Sequence, residues 1–389
     1  MTSKSRRCCL QLLVWALAVI QASALAVSAV SPGRDDEVLE VLPAITFSRP
    51  TRTTSAPRTT DPRIAAIQAK KDISVARQTG DTRYWGRAQA ELGPWWDRPD
   101  APTELAVLQA TVQQGRHEFD ASRKILTAAL ARSPRDAQGW LNLAALERLS
   151  ARYSQSLQAC DAVSRSGQEL YAQACRLETQ SLQGQHAAAS QGFESLLSQV
   201  TTDQLRSWLL SLLAENHERA GRDAAAAAAY TRSLAMDADL YTSIALSDLL
   251  LRTGKTRQAQ QILAPLPETD AVLLRRATVL RRLGDVRWTE LRSTLRDRAA
   301  ELLRRGDDPT LHAREMALTS LWLDDDAVAA LQFSRRNLEL QREPVDWWVA
   351  LQSAQLAKDN AAINEITKAV AAAGLIDARL APGQKIGSP

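Results

Sequence analysis

Residues able to do chemistry are sparse in this 389-residue chain, and they are scattered. The four histidines are His117, His186, His217 and His312. No two stand close enough in sequence to form a metal site or a nucleophile–base pair from one element, so each reads as a surface or turn histidine. The acidic runs Asp307-Asp308 and Asp324-Asp325-Asp326 would attract a cation, but a calcium loop needs more oxygen ligands at alternate positions. Both runs fall at helix boundaries, where acids complement the exposed N–H groups and the dipole of a helix start. The chain holds no GxxxxGK[ST] phosphate loop and no GxGxxG, HExxH or GxSxG motif. No catalytic residue, metal or cofactor is expected, and hence no enzyme.

The four cysteines fall into two pairs by position. Cys8 and Cys9 open an apolar run that ends at Ile20, behind a short basic start with Lys4, Arg6 and Arg7. Small-residue sites follow at Ala22-Ser23-Ala24, Ala24-Leu25-Ala26 and Val27-Ser28-Ala29. This is the layout of a secretory signal over residues 1–29, cleaved between Ala24 and Ala29. An uncleaved membrane anchor is the alternative, because the apolar stretch runs on to Val30 and approaches bilayer-spanning length. A lipoprotein would carry its cysteine after the run rather than at its head. Cys160 and Cys175 remain, with no CxxC and no neighbouring histidine. In an exported protein such an even pair points to a disulfide. Two buried thiols packed as small apolar side chains are the alternative. The chain is thus expected to be exported, to the periplasm if its source is bacterial, with membrane contact only if the N-terminal segment is uncleaved.

These residues need a scaffold, and the pattern behind them is helical. The formal net charge is +4, of which the signal segment supplies three. The remainder is close to neutral and nowhere clusters Lys and Arg with aromatics on one face, so no nucleic acid is expected as a partner. Residues 30–62 read as a disordered linker, punctuated by Pro32, Pro43, Pro50, Pro57 and Pro62 and rich in Ser, Thr and Arg. From Arg63 the chain is alanine-rich and poor in β-branched residues, with a helix break about every 12 to 20 residues. Breaks at Gly184, Gly221, Gly254 and Gly284 recur with a period near 34 residues, the length of a helix–turn–helix unit. Asp325 and Asp359 occupy the same kind of turn; Gly80 and Gly115 lie upstream, and Ala151 stands in for glycine between them and Gly184.

In this register the chain resembles the tetratricopeptide repeat (TPR) family. The segment Asp120–Pro134 matches the second half of that motif, with Ser122, Ala129 and Pro134 in place, and Trp140, Leu143 and Ala144 open the next unit. The motif's eighth position is small at Ala110, Ala144, Ala214, Ser247 and Ala277. Its twentieth is small at Ser122, Ser156, Ala189, Ala226, Ala259 and Ala330. The resemblance implies an all-α fold, a right-handed superhelix of eight to nine antiparallel helix pairs over residues 63–380, with a flexible tail at 381–389. A related helical-pair solenoid is the rival. Two units depart from the pattern: the second helix of 270–310 is long and Arg-rich, and Asn364 stands where 345–380 should have a small residue. Trp95 and Trp96 read as a cap on the first helix pair, and of Trp347 and Trp348 at least one should be core.

In the TPR family the first helix of each unit lines the concave groove. At the second position three successive units carry Tyr171, Trp208 and Tyr241, and at the ninth they carry Glu178, Glu215 and Asp248. Seven residues apart, each aromatic and its acid share a helix face. Such a ladder would hold an extended or helical segment of another protein, with the acids attracting basic residues. Alternatively, the aromatics fill gaps between neighbouring helices and the acids are solvated. The same resemblance places Cys160 and Cys175 on helices that pack together. The function it implies is that of an exported scaffold or adaptor that binds other proteins. The alternative is a non-catalytic accessory or regulatory subunit of an envelope enzyme or secretion complex.

Overall fold

The computed structural model describes residues 59–304 and 308–381; the signal segment, most of the linker and residues 382–389 lie outside the described residues. Within them the chain forms eighteen α-helices and no strand. The helices pair in order along the chain. The first three pairs are α1 (Pro62–Thr79) with α2 (Arg83–Leu92), α3 (Thr103–Gly115) with α4 (Phe119–Arg132), and α5 (Ala137–Leu149) with α6 (Tyr153–Arg165). Then come α7 (Glu169–Leu182) with α8 (His186–Gln199), α9 (Asp203–Arg219) with α10 (Asp223–Met236), and α11 (Leu240–Arg252) with α12 (Thr256–Leu263). The last three are α13 (Asp270–Arg282) with α14 (Trp288–Arg304), α15 (Ala313–Trp322) with α16 (Ala327–Leu340), and α17 (Pro344–Leu356) with α18 (Asn360–Ala373). Each helix packs on its partner and on the next pair, so the fold is an all-α solenoid wound as a right-handed superhelix.

Small residues set the spacing of the pairs. Ala110, Ala144, Ala214, Ser247 and Ala277 on first helices, and Ser122, Ser156, Ala189, Ala226, Ala259 and Ala330 on second helices, are all at zero exposure. A larger side chain at any of them would force the helices apart. The hydroxyls among them are satisfied: Ser122 Oγ donates to the carbonyl of Ala110 at 2.9 Å, and Ser156 bonds Thr179 at 3.0 Å. In the last unit Ala362 is the buried small residue and Asn364 faces solvent, so α18 forms complete. Aspartates start several helices; Asp136, Asp239, Asp326 and Asp359 accept from backbone N–H groups three residues on, at 2.7–2.9 Å.

Left-handed backbone marks the turn inside each of the nine units, at Gly80, His117, Ala151, Gly184, Gly221, Gly254, Gly284, Asp325 and Lys358. Two of these differ from expectation. Gly115 ends α3 instead, because its missing Cβ leaves room for the indole of Trp85, and His117 makes the turn. Asp359 is the cap of α18, and Lys358 before it takes the positive φ.

The superhelix continues past one full turn and rests on itself. The turn of the first unit, at Gly80, meets Leu240 and Thr269. That of the second, at His117, lies in the field of His312, Arg314 and Glu315. In the third, the carbonyl of Leu149 accepts from the Arg342 N–H at 2.7 Å, and Tyr153 packs with Trp347 and Ala350. After α18 the segment 374–381 runs over the fourth and fifth. Ile376 N donates to the carbonyl of Leu182 at 2.9 Å and Arg379 reaches Glu218 at 3.4 Å.

Candidate functional site

A cavity of about 330 Å³ opens on the concave face, built from five successive first helices. Each contributes one stripe at helical spacing: Glu215 and Arg219 from α9, Tyr241, Ile244 and Asp248 from α11, Ala271, Arg275 and Thr278 from α13. To these are added Glu315, Leu318 and Trp322 from α15, and Val345, Trp348 and Gln352 from α17. Tyr230 of α10 and Arg379 of the final segment complete the wall.

Its charges are tied together in pairs. Arg275 binds Asp248 through two bonds of 2.8 and 2.6 Å, and its guanidinium stands 5.9 Å from the Trp322 ring. Arg252 grips Asp223 at 2.9 and 2.7 Å and reaches Glu218 at 3.0 Å. The hydroxyl of the fully buried Tyr230 donates to Glu218 at 3.0 Å. Arg314 binds Asp346 at 2.7 and 2.9 Å and Glu343 at 2.5 Å. Burial works against the charge on Arg314, but Asp346 and then Glu343 outweigh it and hold the guanidinium well above its ordinary pKa. Arg379 is held up in the same way by Asp377 and Glu218.

The six candidate residues separate into two groups. Tyr241, Glu215 and Asp248 line the cavity. Tyr241 is 63% exposed yet stands inside the superhelix, donating to Glu215 at 2.6 Å. The adjacent Glu215 carboxylate, then burial, raises the phenol well above its usual pKa. Burial likewise raises Glu215 against the pull of Arg219. Tyr171, Trp208 and Glu178 are not in the cavity wall. The rings of Tyr171 and Trp208 lie 5.7 Å apart, and Trp208, half-buried, packs on the core around Phe193 and Leu209. Glu178 is taken by Arg148 at 2.7 Å. None of the three acids is free in solvent, since each already holds an arginine of this chain.

Sequence reasoning missed the larger half of the cavity, on α13, α15 and α17. The signal is present in the stripes Ala271/Arg275/Thr278, Glu315/Leu318/Trp322 and Val345/Trp348/Gln352, but the aromatic-and-acid pattern stops after Asp248. Of the tryptophan pairs, Trp347 is core, Trp348 faces the cavity, and Trp95 and Trp96 pack partly buried on the first unit.

Cys160 on α6 and Cys175 on α7 are both buried and are joined, with Cα atoms 5.6 Å apart. Among the described residues no cluster of His, Cys, Asp and Glu is placed to hold a metal ion, and no helix is long and apolar enough to cross a membrane. Asp326 and Asp308 each accept a backbone N–H near the start of a helix, and Asp324 binds Arg292 and Arg296.

No family model and no curated protein matches the chain. Solved structures do. One is a tetratricopeptide repeat protein from Parabacteroides merdae, at 12% identity and a TM-score of 0.37, covering 79% of this chain and 99% of that one. The human IFIT1 dimer with PPP-AAAA matches at 14% identity and 0.37, over 80% and 78% of the two chains. The APC/C hetero-tetramer Cut9-Hcn1 matches at 13% and 0.35, over 80% and 63%, so this chain spans less than two thirds of that relative.

Proposed function

We propose that this protein is an exported scaffold or adaptor that has no chemistry of its own and binds a segment of another protein inside its superhelix. The observation that carries the reading is the cavity itself. It is concave, lined by one stripe from each of five helices, and mixes aromatic and aliphatic surface with fixed polar groups. Its ion pairs tie the walls together, so little ordering cost falls on the cavity when a segment binds. The buried Cys160–Cys175 pair supports export, where such a bond persists.

The test is crosslinking in the native cell followed by identification of captured proteins, with the wild-type chain beside Tyr241→Ala and Trp348→Ala. The expected result is a partner captured by the wild type and lost from both variants. Capture unaffected by either substitution would remove the cavity from the reading. Full-length, uncleaved chain in the cytoplasmic fraction would remove export.

A further inference from the structure

We infer that the cavity takes a basic side chain, a lysine or arginine carried by the bound segment, with Glu315 as its counter-charge and Trp348 beside it. The inference rests on the binding reading above and adds the chemistry of the ligand. Each cavity arginine is already committed. Arg252, Arg275 and Arg314 are gripped by carboxylates, Arg219 by Glu215 and Ser181, Arg379 by Asp377 and Glu218, and Arg282 donates to the carbonyl of Leu251 at 2.5 Å. An anionic ligand at Arg252, Arg275, Arg314 or Arg379 would have to displace one of these carboxylates, whereas Arg282 is held by a carbonyl and Arg219 keeps its Nη2 without a hydrogen-bond partner among the described residues.

The acids differ in one respect. Glu215, Glu218, Asp248 and Glu343 all accept from a guanidinium or a phenol. Glu315 also lines the cavity, half-buried, and among the described residues it makes no hydrogen bond and no ion pair. With Asp223, Asp346 and Asp377 counted behind the arginines they hold, eight carboxylates face six guanidiniums. Only with these three acids included do the carboxylates outnumber the guanidiniums, and Glu315, in the field of Arg314 and His117, is the lining carboxylate left without a hydrogen bond or ion pair, in a partly enclosed site where attraction is stronger than in water.

The surroundings of Glu315 suit a long cation. It shares a face of α15 with Leu318 and Trp322, and Trp322 meets Trp348 edge-on at 6.5 Å. Trp322 already carries the guanidinium of Arg275. Trp348 lines the cavity with no cation over its ring among the described residues. A lysine or arginine stem would lie along these apolar faces and bring its charge to the carboxylate.

The experiment is selection of a phage-displayed library of random short peptides on the full mature chain. Enriched peptides are then synthesised with a fluorophore and measured by anisotropy. The expected result is a recurring lysine or arginine. Its replacement by citrulline or norleucine should weaken binding about tenfold or more. Glu315→Gln should remove that difference with unchanged circular dichroism and melting, because Glu315 holds no structural bond. Trp348→Leu should weaken the basic peptide more than its neutral version. Peptides enriched without a basic residue, or affinity indifferent to Glu315→Gln, would overturn this inference and leave the scaffold reading intact. Selection that yields no peptide sensitive to Tyr241→Ala would overturn both.

Discussion

At the scale of single residues, an aromatic lining a cavity and one filling a seam have opposite signatures. Trp208 is half-buried against core leucines, whereas Tyr241 is 63% exposed and tied only by its hydroxyl. Trp208→Ala should therefore cost stability, by about 2–3 kcal/mol given its partial burial. Tyr241→Ala should cost about 1.5 kcal/mol, the lower end for one hydrogen bond to a carboxylate. Urea denaturation of the two variants checks the contrast. For Cys160 and Cys175, denaturation with and without reductant should differ by about 3 kcal/mol, the chain-entropy value for so short a loop. Aromatic and acid types at a seven-residue spacing were legible in the sequence, because helical periodicity alone puts them on one face. Their commitments were only partly so: Arg219 pairs with Glu215 four residues back on the same helix, a spacing the sequence does announce, whereas Arg148 and Arg275 reach Glu178 and Asp248 from neighbouring units, which no rule within one unit announces.

At the scale of elements, the turns inside the units are where sequence and packing meet. Gly184 and Gly254 both have left-handed backbone, with φ of 87° and 75°. A Cβ on Gly254 would enter open space, whereas one on Gly184 would come within 2.8 Å of the Ile376 side chain. Both Gly→Ala changes should cost about 1–2 kcal/mol for the backbone. Gly184→Ala should cost more and should loosen the segment 374–381, read as faster proteolysis of the C-terminus. His117, His186 and His217 add a pH dependence. Burial lowers the pKa of each, and each has an Nδ1 with no partner. Protonation is disfavoured in the folded state relative to the unfolded chain, which protonates near 6.5. Their contribution is therefore full above about pH 6.5 and is lost as pH falls below it. His117→Asn should flatten part of that slope, since Asn tolerates left-handed backbone and does not titrate. The melting midpoint followed from pH 8 to pH 5 measures it. Helices and small contact residues were readable because they are set within one unit. The role of Gly115 was misread because Trp85 behind it is a tertiary fact, and that of Asp359 because its cap on the Ala362 N–H, though local, shifts the positive φ one residue back to Lys358.

At the scale of the whole molecule, the arrangement of one superhelical turn upon the next escaped sequence reasoning. The rule that neighbouring units pack says nothing about units five or six places apart. Those contacts depend on curvature, which accumulates from small rotations at every interface. A Cβ at Gly254 or Gly284 would meet no described atom within 4 Å, while the turns of the first five units carry contacts from later in the chain. Cutting the chain after Gly374 removes the Ile376 and Arg379 contacts at once and leaves Glu218 short of one of its arginines. The truncated protein should show a larger radius of gyration by small-angle scattering. It should also melt at a lower temperature, with the loss spread to the fourth and fifth units in hydrogen exchange.

The overlap of one superhelical turn on the next also bears on how the chain acquires its structure. A solenoid whose units touch only their neighbours can nucleate anywhere and fray from either end, its stability a sum of local terms. Here the third unit meets the ninth, so that early contacts depend on segments synthesised some two hundred residues later. Contacts at such separation close long loops before they return any energy, and they slow folding. They also bind the last units to the third, fourth and fifth, so melting of the last units strips contacts from those three. The chain behaves less as a string of repeats than as one cooperative body, folding slowly and losing its structure all at once.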